Sequence, residues 1–255
     1  MKIFCIGKKK AAISFFAAVA LIAAVFAANA FAPAAYAAFA KKRVLPIYSV
    51  EREDKTIAIS FDCAWGAEHT DELLKIMDEQ DVKSTFFMVQ FWAEKYPDYV
   101  KKIAAAGHEI GTHSRTHPKM SELTKEQIQS ELKTSCETIE NVTGKKVDLF
   151  RPPFGDYNDL LVETAKEMGL YTIQWDVDSL DWKNLSGQEI ALRVVNGVKS
   201  GSIILCHNNG LHTADALPVI LSALKNKGYR FVPIGEMIYR ENYSMKSDGR
   251  QIPAN

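Results

Sequence analysis

From residue 56 to about residue 239 the chain alternates between two patterns of apolar and polar positions. Short apolar runs of strand length fall at residues 56–61, 84–89, 147–150, 171–177, 202–206 and 230–232, with a further short one at 108–111. Between them lie longer stretches whose apolar positions recur every three to four residues, at 68–80, 97–106, 124–142, 158–168, 187–198 and 213–227. The first pattern predicts buried strands and the second amphipathic helices. Gly107, Gly144, Gly169 and Gly228 each follow a predicted helix, where glycine accepts the left-handed turn that ends one. Strands alternating with helices pair in parallel with the helices packed outside, as a doubly wound sheet or a barrel.

Ahead of this domain the pattern breaks. Lys2, Lys8, Lys9 and Lys10 precede an almost unbroken apolar, alanine-rich run over residues 11–31, and Lys41, Lys42 and Arg43 follow it. A basic flank before an apolar stretch is an export signal, and Ala35-Tyr36-Ala37 offers a small-x-small cleavage site. The run is also about 20 residues long, enough to span a bilayer if retained. Residues 1–40 are therefore read as a signal peptide or a membrane anchor, 41–54 as a linker, 55–240 as one catalytic-sized domain and 241–255 as a loose polar tail. The four lysines of the leader, taken from 31 basic residues in all, leave 27 against 31 acidic ones. A mildly acidic domain excludes a nucleic-acid partner held by broad electrostatics. Three scattered cysteines beyond the leader, Cys63, Cys136 and Cys206, do not form a disulfide framework.

Polar chemistry gathers where the predicted strands stop. Asp62 and Cys63 follow the first, His113 and His117 the short run at 108–111, Arg151 the run at 147–150, Asp178 and Asp181 the run at 171–177, and His207 the run at 202–206. The C-terminal strand ends carry the sites of parallel α/β folds. His113 and His117, four apart in "GTHSRTH", suit one divalent metal ion. Cys63 is either a third, thiolate ligand, which favours zinc, or a buried filler. Asp62 is the candidate general base, and Arg151 the cation that keeps it ionised and oriented. His207 is the candidate acid, with Asp178 or Asp181 behind its other ring nitrogen. The backbone N–H of Phe154 or its neighbour is the candidate to hold a developing oxyanion, and Trp182 with Leu205 the candidates for a small apolar pocket. His108 and His212 are read as ordinary structural residues.

The ordered set "SFDCAWG", "THSRTH", "RPPFGD", "DSLDW" and "ILCH" resembles the polysaccharide deacetylases with the NodB-homology domain, carbohydrate esterase family 4. The likeness runs over residues 55–239 and is nearer still to the sporulation-associated deacetylases of spore-forming Gram-positive bacteria. It implies a distorted (β/α)7 barrel and metal-dependent removal of the N-acetyl group from N-acetylglucosamine or N-acetylmuramic acid in the cell wall. By that resemblance Asp62 is the base, His113 and His117 are metal ligands, Arg151 orients the base, His207 is the acid and Asp181 its supporting carboxylate. Leu205 and Trp182 match the acetyl-methyl pocket. One departure stands out: the family's first motif has two adjacent aspartates, the second a metal ligand, and here that second position is Cys63. The likeness implies one divalent ion, zinc, a cell-wall polysaccharide as substrate, an extracytoplasmic location and no protein partner.

Overall fold

The computed structural model describes residues 43–254 and, before them, Phe26 alone, so the leader read over residues 1–40 otherwise lies outside the described residues. The strands are β1 (Ser49–Val50), β2 (Thr56–Cys63), β3 (Thr85–Met88), β4 (Glu109–Thr112), β5 (Leu149–Phe150), β6 (Tyr171–Thr172), β7 (Val177–Asp178), β8 (Ile203–His207), β9 (Arg230–Phe231), β10 (Tyr243–Met245) and β11 (Arg250–Pro253). The main sheet runs in the order β6-β5-β4-β3-β2-β8-β7, with β9 added to the start of β2, and every pairing in it is parallel.

All eight residues of the central strand β2 are buried, as expected of a parallel strand covered on both faces. Its side chains divide by the period of two. Ile57, Ile59, Phe61 and Cys63 pack in the cluster that holds helix residues such as Leu73, Met77, Trp92 and Leu217. Ala58 joins the other cluster, with Phe87, Leu149, Ile173 and Ile203, on the inner face of the curled sheet. Ser60 and Asp62 alternate onto that inner face as well.

Residues 171–177, expected as one strand, form two. β6 pairs β5 at one end of the sheet and β7 pairs β8 at the other. Only Ile173–Asp176 separates them, a span of at most about 19 Å at 3.8 Å per residue step. A sheet whose opposite edges are joined by so short a tether has to curl, which gives the distorted (β/α)7 half-barrel expected. The tether's own backbone is paired: Gln174 N–H donates to Ile47 O (2.7 Å) and Asp176 N–H to Ile203 O (3.2 Å). Polar Gln174 and Asp176 interrupt what reads as a continuous apolar run.

The six expected helices appear within a few residues of their predicted bounds, as Thr70–Glu79, Pro97–Ala105, Lys125–Thr143, Asp159–Glu167, Gly187–Gly197 and Thr213–Asn226. Three of the starts rest on local chemistry. Thr124 with Gln127 and Ser186 with Glu189 form reciprocal capping boxes, and Asn158 caps the N–H of Leu161. Short helices at Gln90–Lys95 and Ile234–Met237 were not expected. Among the described residues no helix is long and apolar enough to cross a membrane.

The segments read as linker and loose tail are ordered against each other. β1 pairs in parallel with β11, which pairs antiparallel with β10, making a separate three-stranded sheet. Val50 and Gln251 are fully buried in it. The Gln251 side chain accepts from Tyr239 N–H (2.8 Å) and donates to the Tyr239 carbonyl. Polar Gln251 is buried in the tail because its side chain bonds backbone.

Candidate active site

Asp62 and His207 are register partners on the adjacent parallel strands β2 and β8, and Phe87 is the partner of Asp62 on its other side. The alternation that buries Ile203 and Leu205 on the inner face carries His207 to the same face. One carboxylate and one imidazole therefore meet at the C-terminal mouth of the barrel.

Arg151, wholly buried, donates from Nη1 to Asp62 Oδ1 (2.8 Å) and from Nη2 to Gln174 O (3.2 Å). Its guanidinium lies 4.2 Å over the Phe87 ring. Gly111 makes that floor possible, since a Cβ there would stand 2.7 Å from the Phe87 ring and 2.9 Å from Leu149 O. Burial pushes the Asp62 carboxyl up, but the Arg151 charge and hydrogen bond, with the His207 charge, outweigh it and hold it below its ordinary value. At neutral pH the Asp62 carboxyl is ionised.

His113 follows β4. Its Nδ1 lies 2.7 Å from Arg151 O, and a carbonyl only accepts, so the proton sits on Nδ1 and Nε2 keeps its lone pair, 3.5 Å from Asp62 Oδ2. His117 does not lie on a helical turn with it. Ser114 (φ 74°) and His117 (φ 58°) adopt left-handed backbone, and the Ser114 hydroxyl accepts from His117 N–H (3.0 Å). This turn brings the two imidazole rings within 4.9 Å, centroid to centroid. Glu131, from helix Lys125–Thr143, fixes the loop by accepting from the N–H groups of Arg115 (2.9 Å) and Thr116 (2.8 Å) and from the Thr116 hydroxyl (2.8 Å). Burial lowers the pKa of both histidines, that of His117 to about 4, so both are neutral imidazoles, the form that binds metal.

At the other side of the mouth Asp181, wholly buried, accepts from His207 Nδ1 (2.7 Å), from His207 N–H (2.7 Å) and from the Thr213 hydroxyl (2.7 Å). Of the two candidate carboxylates it is Asp181 that backs His207, while Asp178 accepts from Leu180 N–H (2.9 Å). Burial lowers the pKa of His207, the Asp181 bond raises it, and the balance lies above the ordinary value. Leu205 is buried two residues before His207, and Trp182 is exposed just after Asp181. Phe154 sits in the turn Pro153–Gly155 with φ 60° and an exposed ring 4.6 Å from that of His117. His108 is a satisfied buried residue accepting from Ser84 N–H (3.1 Å), and His212 pairs with Asp215. Glu131, Thr213 and Ser114 support the site without having been anticipated. Only Ser114 lies within a quoted motif.

Cys63 is also fully buried, but β2 pairs with Met88 through Cys63, so the alternation sends the thiol to the helix-facing side, opposite Asp62. Its Sγ lies 3.9 Å from Phe61 O, and burial, then the nearby Asp62 charge, pushes its pKa well up. Among the described residues no group of three or more His, Cys, Asp and Glu side chains gathers to hold a metal ion. The two imidazoles fit a divalent ion as a pair of ligands, with the Arg151 carbonyl as the outer partner that fixes one tautomer. The thiol as placed does not complete the set.

The family model described as Polysaccharide deacetylase matches residues 49–173. A Bacillus subtilis relative described as uncharacterized protein YlxY is 34% identical over 193 residues, covering 76% of this chain and 60% of that one. This chain thus spans less than two thirds of that relative's length. A Bacillus cereus peptidoglycan-N-acetylglucosamine deacetylase is 36% identical over 196 residues, covering 75% of this chain and 92% of that one. Among solved structures, a Bacillus anthracis protein described as a CE4 family pseudoenzyme superposes with a TM-score of 0.73 at 34% identity, covering 75% of this chain and 68% of that one. A mutant of it is described as having restored enzymatic activity. The chain belongs to the polysaccharide deacetylases of carbohydrate esterase family 4, hydrolases that act on N-acetyl amides. Deacetylases of this family are generally metal-dependent.

Proposed function

We propose that the domain is an exported deacetylase of peptidoglycan glycan, removing acetate from N-acetylglucosamine or N-acetylmuramic acid residues during spore formation. The observation that carries the reading is the pair of proton-transfer dyads at one mouth, Asp62 with Arg151 and His207 with Asp181. Ionised Asp62 takes a proton from the attacking water as its oxygen bonds the acetyl carbon. His207, kept protonated by Asp181, gives a proton to the leaving amine as the carbon–nitrogen bond breaks, and acetate departs. His113 and His117 hold a divalent ion, zinc by their ligand chemistry. That ion, when bound, polarises the acetyl carbonyl and acidifies water. Phe154 N–H stabilises the oxyanion, and Leu205 and Trp182 receive the acetyl methyl group. The basic, apolar leader over residues 1–40 supports export, to the wall or to the outer face of the membrane.

A second reading, a catalytically weak glycan-binding domain, is favoured by the turned-away Cys63 thiol and by the likeness to a pseudoenzyme. Mass spectrometry of muropeptides incubated with the full chain and added zinc separates the two. Loss of one acetyl group per sugar is the expected result, and retention of every acetyl group with Asp62→Asn and His207→Ala assigns the dyads. Glycan that is retained by the protein but keeps every acetyl group would overturn the first reading in favour of the second.

A further inference from the structure

Resting on the reading of this mouth as a glycan site, we propose that Trp65 and Phe91 form a second sugar-binding position beside it, a platform on which a neighbouring ring of the same glycan chain stacks. Neither residue belongs to the motifs' assigned roles. Trp65 is 57% exposed and Phe91 37% exposed, although both are large apolar groups. Their ring centroids are 6.5 Å apart, and the Trp65 ring lies 4.9 Å from that of His117, which in turn lies 4.6 Å from Phe154. Four rings, Phe91, Trp65, His117 and Phe154, thus form a row with a proposed metal ligand inside it. Single exposed apolar residues need no explanation, whereas a contiguous exposed patch at the rim of a site marks a binding surface.

The loop that presents Trp65 is held firmly. The Gly66 carbonyl accepts from the indole N–H of Trp92 (2.6 Å) and from the side-chain amide of Asn208 (3.0 Å). Cys63 O accepts from Val89 N–H (3.0 Å) just before it, and Ala67 O from Thr70 N–H (3.1 Å) just after. Gly66 itself takes φ 65°, and a Cβ there would stand 2.2 Å from a Glu68 carboxylate oxygen. So the loop is pinned on both sides of Trp65 while the indole stays outside the core. Among the described residues the Trp65 indole N–H donates to nothing, which leaves a donor at the rim of the platform. A pyranose ring has a face of C–H groups and a rim of hydroxyls. The C–H face suits the negative face of an indole, and the free N–H suits a hydroxyl. An indole carried on a loop whose backbone is already fixed spares the entropy of ordering that loop on binding. The substrate class this selects is a chain of several sugars, not a single N-acetylated sugar.

The test is calorimetric titration of the full chain with N-acetylglucosamine oligomers, a disaccharide and a pentasaccharide, for wild type, Trp65→Ala, Trp65→Phe and Phe91→Ala, each verified as folded by circular dichroism. Wild type should bind the pentasaccharide more tightly than the disaccharide. Trp65→Ala should lose about tenfold on the pentasaccharide and little on the disaccharide, with Trp65→Phe recovering most of the loss. Pentasaccharide affinity equal in wild type and Trp65→Ala would overturn the platform and leave the glycan reading intact. Wild type that binds neither oligomer and leaves muropeptides unaltered would overturn both.

Discussion

Replacing Arg151 with methionine removes a buried cation while keeping most of its stem volume, and strands Asp62. The two groups are wholly and almost wholly buried, with a 2.8 Å bond between them. Charge centres about 4 Å apart interact by about 4 kcal/mol at an effective dielectric constant of about 20. Removing one partner of such a buried pair costs about 3–5 kcal/mol. That is a large share of a total stability on the order of 5–15 kcal/mol. The sign with pH follows from the same pair. In the wild type Asp62's pKa is depressed, so its contribution is present above the unfolded carboxylate value and is lost as pH falls through the folded one. In Arg151→Met the opposing pull of burial is released and the Asp62 pKa rises, so acid should now relieve part of the defect. Urea unfolding followed by tryptophan fluorescence, at neutral pH and at about pH 5, measures both effects. Asp62→Asn introduced into Arg151→Met should recover at least half of the lost stability, because the uncompensated charge goes. A single variant as stable as wild type, or a double variant less stable than the single, would refute the account of Arg151 as the counter-ion of a buried base.

Asp181→Asn keeps an acceptor for His207 Nδ1 but removes the charge, so the His207 pKa should fall from its raised position and the alkaline limb of the pH–rate profile should move to lower pH. Stability contributed by the raised His207 is present below its unfolded pKa and lost as pH rises through the folded one, and NMR titration of the ring checks the shift. Cys63→Ala should leave zinc affinity within about twofold of wild type by calorimetry, whereas a loss of tenfold or more would place the thiolate on the metal. Gln251→Ala should cost about 1 kcal/mol in urea unfolding by leaving Tyr239's half-buried backbone groups without their side-chain partner; no change would mean these bonds contribute nothing.

The sequence made the alternation of strand and helix legible because each carries its own period, and Gly107, Gly144, Gly169 and Gly228, all of which take positive φ, marked where four helices end. The polar residues at strand ends were legible for the same reason: a run of buried apolar residues that stops on Asp62 or His207 marks where the strand leaves the core. What was not legible depends on partners distant in the chain. Glu131 reaches the His113–His117 loop from the middle of a helix, and Thr213 reaches Asp181 from the start of another, with no local pattern to announce either. The tail misled because a polar side chain such as that of Gln251 reads as solvent-facing until the backbone it bonds is in view.

The strand break within residues 171–177 and the strand extension at residue 63 show how small differences in element length decide chemistry. Had residues 171–177 run as one strand, one edge of the sheet would lack β7, and Asp181 would not be set beside His207 on β8. At the other position the apolar run ends at Phe61, and a strand ending there would leave Asp62 and Cys63 both in a loop, free to face one metal ion. β2 instead continues through Cys63, whose carbonyl accepts from Val89 N–H and whose register partner is Met88. Two more paired residues impose the period of two, and the period of two puts adjacent side chains on opposite faces. Asp62 therefore reaches the barrel mouth and Cys63 the apolar layer beneath the helices. A cysteine suits that layer, since a neutral thiol is a small apolar filler there, whereas an aspartate would either bury an unpaired charge or have to break the last pairing of β2 to escape.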